Sequence, residues 1–141
     1  NVLQNSGGSL IGASGELQLW QNAFFNGTSS IYVATQTATR YSMSAGQHRW
    51  FNAPSGTAGT AITFTQAMTL FANGNLAVGT TTDIASSILT INSTTKGFLP
   101  PRMTTTEKNA IATPSTGLVV FDSTLGKLCV FSTTWQTITS V

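Results

Sequence analysis

The chain has 141 residues, enough for a core but not a generous one, and only 7% of them are charged, against roughly 25% in an ordinary soluble domain. Hydrophobic residues make up 40%, so the deficit is filled by Thr, Ser, Asn, Gln and Gly, which excludes a highly charged disordered chain, and no apolar run reaches the roughly 20 residues that span a membrane. The net charge of +2 comes from six cations scattered between Arg40 and Lys127, without the basic cluster that nucleic acid requires, and the single cysteine, Cys129, excludes an internal disulfide.

The chain opens at Asn1 with neither Met nor a charged-then-apolar leader, so no signal peptide is read and the natural start is expected upstream. Residues 5–15, NSGGSLIGASG, predict a turn, a brief strand at Leu10-Ile11 and a second turn. Glu16 to Trp20 alternates as a strand, and short β-branched and aromatic strands follow at residues 31–34, 39–43 and 48–51. Residues 53–56, APSG, read as a loop. From Ala61 onward the spacing is period two, with Ile62, Phe64, Met68 and Leu70 on one parity and Ala61, Thr63, Thr65, Ala67 and Thr69 on the other. Asn73-Gly74 then predicts a tight turn that folds Leu70-Phe71 back onto residues 76–78.

Downstream, residues 87–91 predict another strand, and Pro100-Pro101 an extended crossing segment that cannot join a ladder. Thr104 and Glu107 stand in capping-box spacing and open the one credible helix, near Thr104–Ala112, which Thr113-Pro114 ends. Residues 117–122 and 127–131 are apolar strands joined by a hairpin, and 134–138 a last strand beside them. The leucine, valine and phenylalanine around Cys129 place it in a strand as a small buried residue. The reading is all-β with one short helix, organised as a β-rich module over residues 1–84 and a strand, helix and hairpin module over 85–141. Thr and Ser on both parities leave each strand short of apolar surface, which points to completion by oligomerisation.

The run APSGTAGTAITFTQAMTL at 53–70, with GNLAVGTTTD at 74–83 and NAFFNGT at 22–28, resembles a repeat of the tail-fibre and tail-spike proteins of tailed bacteriophages. KGFLPPRMTTTE at 96–107, followed by GLVVFD at 117–122, is similar to a module near the C-terminal ends of such fibres. The resemblance implies an interwoven, parallel homotrimeric fibre, and the apolar parity of Ile62, Phe64, Met68 and Leu70 is the one expected to face its threefold axis. The resemblance further implies a virion structural protein made in the bacterial cytoplasm, other virion proteins as partners, and a role in host attachment. A receptor-binding tip that recognises host surface glycan is the alternative, and a polysaccharide depolymerase with a site between subunits is a third.

Chemistry-bearing residues are sparse. The single histidine, His48, lies beside Trp50 and Phe51 in no nucleophile motif, and Glu16, Asp83, Glu107 and Asp122 are the only carboxylates from which an acid/base pair could be drawn. No catalytic residue, cofactor or metal is therefore expected. One arrangement would hold an ion, three copies of His48 meeting on a trimer axis; an outward-facing His48 is the simpler reading. The aromatic residues Trp20, Phe25, Tyr32, Tyr41, Trp50 and Trp135 offer the flat faces on which sugars stack, against the competing role of packing within or between subunits.

Overall fold

The structure, a computed structural model, describes residues 2–5, 8–13 and 15–139. They divide into two compact units, meeting in sequence between Thr94 and Thr95. The strands of the first unit are β1 (Val2–Asn5), β2 (Gly8–Ala13), β3 (Glu16–Gln21), β4 (Ala23–Phe25), β5 (Ser30–Tyr32), β6 (Gln36–Ser44), β7 (Gln47–Gly56), β8 (Thr65–Leu70), β9 (Leu76–Val78) and β10 (Leu89–Ile91). Eight of these form one sheet in the order β1-β2-β3-β6-β7-β8-β9-β10, antiparallel except for the parallel pair β9–β10. The all-β expectation holds, and these ladders are made within a single chain.

That parallel pairing also explains why the first unit runs on to Thr94, past the boundary expected at residue 84. Leu89–Ile91 is laid against Leu76–Val78, so the strand belongs to the first sheet rather than opening the second module. The hairpin expected at Asn73-Gly74 forms, but Ala72 and Asn73 are its central residues: the Gly74 N–H donates to the Phe71 carbonyl and the Phe71 N–H to that of Asn75, and of the pair only Gly74, at φ 89°, is left-handed.

Residues 53–56, expected as a loop, instead complete β7. Pro54 is tolerated there because β8 pairs with β7 only as far as Asn52↔Thr65, so beyond that point one side of β7 is an edge. The ladder to β6 is bulged in the same place, Gln36 facing Gly56 and Ala38 facing Ala53. Gly56 is required by packing: a Cβ there would lie 2.1 Å from the Tyr32 ring, whose hydroxyl donates to the Pro54 carbonyl at 2.6 Å.

One face of the large sheet is covered by its own chain. The β4–β5 hairpin and the segment after β7 close over it, Ile62 N–H donating to the Ser30 carbonyl and Tyr32 N–H to that of Thr60. Beneath them Tyr32, Ala38 and Ala53 form a buried cluster joined by Ile62 and Phe64. Asn22, at φ 53° and 1% exposed, pins this cover: its side-chain amide donates to the carbonyls of Ala34, Gln36 and Thr37, and its Oδ1 accepts from the Ala34 N–H.

The second unit carries β11 (Arg102–Met103), α1 (Thr105–Asn109), β12 (Val119–Asp122), β13 (Lys127–Phe131) and β14 (Trp135–Thr137), with the strands ordered β11-β12-β13-β14. The predicted capping box is present: Thr104 accepts from the Glu107 N–H, and the Glu107 carboxylate accepts from the Thr104 N–H at 2.8 Å. The Thr104 N–H and the Thr104 hydroxyl, both donating to that carboxylate, hold the Glu107 carboxyl below its ordinary value. Thr104→Ala is expected to cost the unit about 1 kcal/mol, read by denaturant unfolding; no measurable loss would mean that packing alone sets the helix start. The helix stops at an Ala110 C-cap, earlier than the expected Ala112, and Thr113 follows with φ 47°.

Candidate functional site

The expected period-two face from Ile62 to Leu70 is broken by a bulge. Trp50 pairs with Met68 while Phe51 pairs with Gln66, so Ala67 is an extra residue in β8 and the parity reverses across it. Ile62 and Phe64 consequently turn into the covered side, Phe64 packing edge-on against Trp20 with ring centroids 6.0 Å apart. Met68 and Leu70 point to the opposite side. The four residues expected to share one face are therefore divided two and two.

On that opposite side the strand registers assemble two transverse rows. Leu10, Leu19, Tyr41, Trp50, Met68, Val78 and Ile91 stand opposite one another in successive strands. The second row runs Leu17, Met43, His48, Leu70, Leu76 and Leu89. Among the described residues of this unit none covers them: Leu19 and Leu89 are each 49% exposed and Ile91 46%. Near the centre Tyr41 and Trp50 lie with ring centroids 5.1 Å apart, His48 stacks beside both, and the Tyr41 hydroxyl shares a short hydrogen bond with His48 Nδ1. A trough of about 680 Å³ follows the first row and is lined as well by Gln21, Thr39, Asn52 and Arg40.

The charged side chains of these strands, Glu16, Arg40 and Arg49, all lie on the covered side. Glu16 and Arg49 are paired at 3.8 Å. The Arg40 guanidinium sits 4.0 Å from the Phe51 ring centre and 4.9 Å from that of Phe64, stabilised by ring quadrupoles in place of water. Burial lowers its pKa, with Glu16 opposing that effect and Arg49 adding to it.

The aromatic residues expected to contact glycan therefore fall into distinct settings. Trp20 and Tyr32, 7% and 5% exposed, are spent on the core and present no open ring face. Tyr41 and Trp50 lie on the uncovered face. Phe25, 44% exposed, stands at the end of β4. In the second unit Trp135 packs edge-on against Phe131, centroids 5.4 Å apart, with Lys108 Nζ 5.5 Å above its ring.

The second unit is organised around a buried ion pair that spacing did not reveal. Lys108 Nζ lies 2.8 Å from Asp122 Oδ2, and the side chains are 5% and 0% exposed. Asp122 also accepts from the Thr105 hydroxyl at 2.8 Å and from the N–H groups of Thr124 and Leu125 at 3.0 Å, while Lys108 reaches the Cys129 sulfur at 3.7 Å. Burial raises the Asp122 carboxyl, but the bonds from Lys108, Leu125 and Thr105 outweigh it and bring it down to about 2. The bond to Asp122 in turn raises the Lys108 ammonium against its own burial. Asp83 accepts from the side-chain amides of Asn73 and Asn75, so each of the four carboxylates is engaged in holding structure. Among the described residues no three of His, Cys, Asp and Glu gather as metal ligands, and no helix is long and apolar enough to cross a membrane.

Residues 77–141 match the family model described as a phage tail like trimerisation region. The fold is similar to that of a solved chain, ORF18 of Geobacillus virus E2, with a TM-score of 0.56 at 17% identity over 95% of this chain. The chain spans 23% of the length of that protein. No curated protein matches.

Proposed function

We propose, from the match of residues 77–141 to a phage tail like trimerisation region and the fold shared with a phage protein, that this chain is a homotrimeric segment of a virion fibre. It joins other virion proteins and carries load during host attachment. The trimerisation region is the observation that carries this reading. Sheet ladders supply stiffness, and with 7% charged residues few ion pairs are available for salt to weaken. Light scattering on the purified, unheated chain is expected to return three times the 14.8 kDa chain mass, unchanged in high salt. A stable monomer would overturn the proposal.

A receptor-binding tip for host glycan is favoured by one arrangement, the Tyr41 and Trp50 rings beside Gln21, Thr39 and Asn52 along the trough. Flat rings flanked by hydrogen-bonding side chains suit a sugar. Binding on a glycan array, abolished by Trp50→Ala, would establish it; the structural reading expects an empty array. The depolymerase reading has no arrangement among the described residues in its favour.

A further inference from the structure

We infer that the uncovered face of the eight-stranded sheet is the surface on which three copies of this chain meet, so that the trimer contact begins far upstream of residue 77 and extends across the sheet to Leu10. The inference rests on the homotrimer reading and says where the contact lies.

Continuity is its first support. Val78, Leu89 and Ile91 belong both to the matched trimerisation region and to the two rows, and the registers carry those rows without interruption through Met68 and Leu70 to Trp50. A contact made by the last two strands alone would leave the remaining strands presenting Leu17, Leu19, Tyr41 and Met43 to water. Apolar patches of that extent are rare on monomers and mark interaction surfaces.

Charge is the second. A threefold axis brings identical residues together, so any charged side chain on the contacting face meets its own copies. The strands of this sheet hold their three charged residues, Glu16, Arg40 and Arg49, on the covered side, leaving a contact face free of like-charge repulsion. His48 is the one titratable imidazole among them, and the Tyr41 hydroxyl is its partner within the chain.

The cover is the third. The β4–β5 hairpin and residues 57–64 close the other side with the chain's own atoms, so the face carrying Leu19 is the one left for a neighbour. A neighbour seated there fills the trough along Tyr41 and Trp50 and occupies the surface that a glycan would need.

Thiol labelling of the full chain tests this. Cys129 is fully buried, so the unaltered chain gives the blank. A cysteine introduced by Leu19→Cys is expected to react on the order of 100-fold more slowly in the trimer than one introduced by Thr28→Cys on the exposed β4–β5 turn, and equally fast in denaturant. Labelling at the rate of the Thr28→Cys control in a particle of threefold mass would overturn the inference while leaving the trimer intact. A monomeric unaltered chain would overturn the trimer itself. If Leu19→Cys alone lost the threefold mass, the contact would be located there just as well, and Met68→Glu is expected to dissociate the particle outright.

Discussion

Asp122→Ala is expected to lower the melting temperature of the second unit by more than about 10 °C, because breaking a buried pair strands the surviving charge. Lys108 would keep its buried position beside the Cys129 sulfur and the Trp135 ring without its carboxylate, and the Thr124 and Leu125 N–H groups would lose their acceptor. Removing both charges with Lys108→Met and Asp122→Leu is expected to recover only the part of the loss owed to the stranded ammonium, since the Thr124 and Leu125 N–H groups still lack their acceptor. Hydrogen exchange across residues 105–131 of the full chain reads the effect locally. Exchange in Asp122→Ala as slow as in the parent would refute the account.

The same pair sets a pH range. The Asp122 carboxyl titrates near 2 in the folded chain, below its ordinary 3.8, so its contribution is complete above about pH 4 and is lost as the pH falls from there through 2. Lys108 is raised above its ordinary 10.5, so its contribution is complete below that value and is lost as the pH climbs through the raised one. The second unit is accordingly expected to weaken at both extremes. In Asp122→Asn the component of the acid transition owed to this carboxyl should vanish; an unaltered acid limb would assign that transition to other groups.

The second large effect is expected at Asn22. Asn22→Ala removes the donor to three carbonyls and the acceptor for the Ala34 N–H, all at a residue 1% exposed, and places alanine at φ 53°. Buried backbone groups left without partners, together with that backbone strain, are expected to cost on the order of 3 kcal/mol in urea unfolding. Asn22→Asp supplies the control: it keeps the acceptor for Ala34 but turns a carboxylate toward three carbonyls, and should fare no better. A variant within about 0.5 kcal/mol of the parent would show that the cover over the sheet is held by other contacts.

These sites differ in how visible they are in the amino-acid order. The capping box was legible because its two partners lie three residues apart and act only on their own helix turn. The turn at Gly74 was legible for a similar reason, since one left-handed residue decides it. Asn22 was not, because its partners lie twelve to fifteen residues away and a polar residue before an apolar run reads equally well as solvent-facing. In sequence Lys108 is one of six scattered cations and Asp122 one of four carboxylates, and only the packing of α1 on β12 brings them together.

By itself the order of residues determined the all-β class, most of the strands and the short helix. Those follow from period, turn chemistry and composition, all local properties. Which side of a strand faces the core is settled by its neighbours. The extra residue at Ala67 reverses the parity between Phe64 and Met68, and an alternation count runs through it unaware, because a bulge exists only relative to a paired strand. Pro54 could join β7 only because the far side of the strand is unpaired at that point. The apolar rows from Leu10 to Ile91 arise in the same way: each strand contributes one or two residues, and only the registers between strands place them on one face.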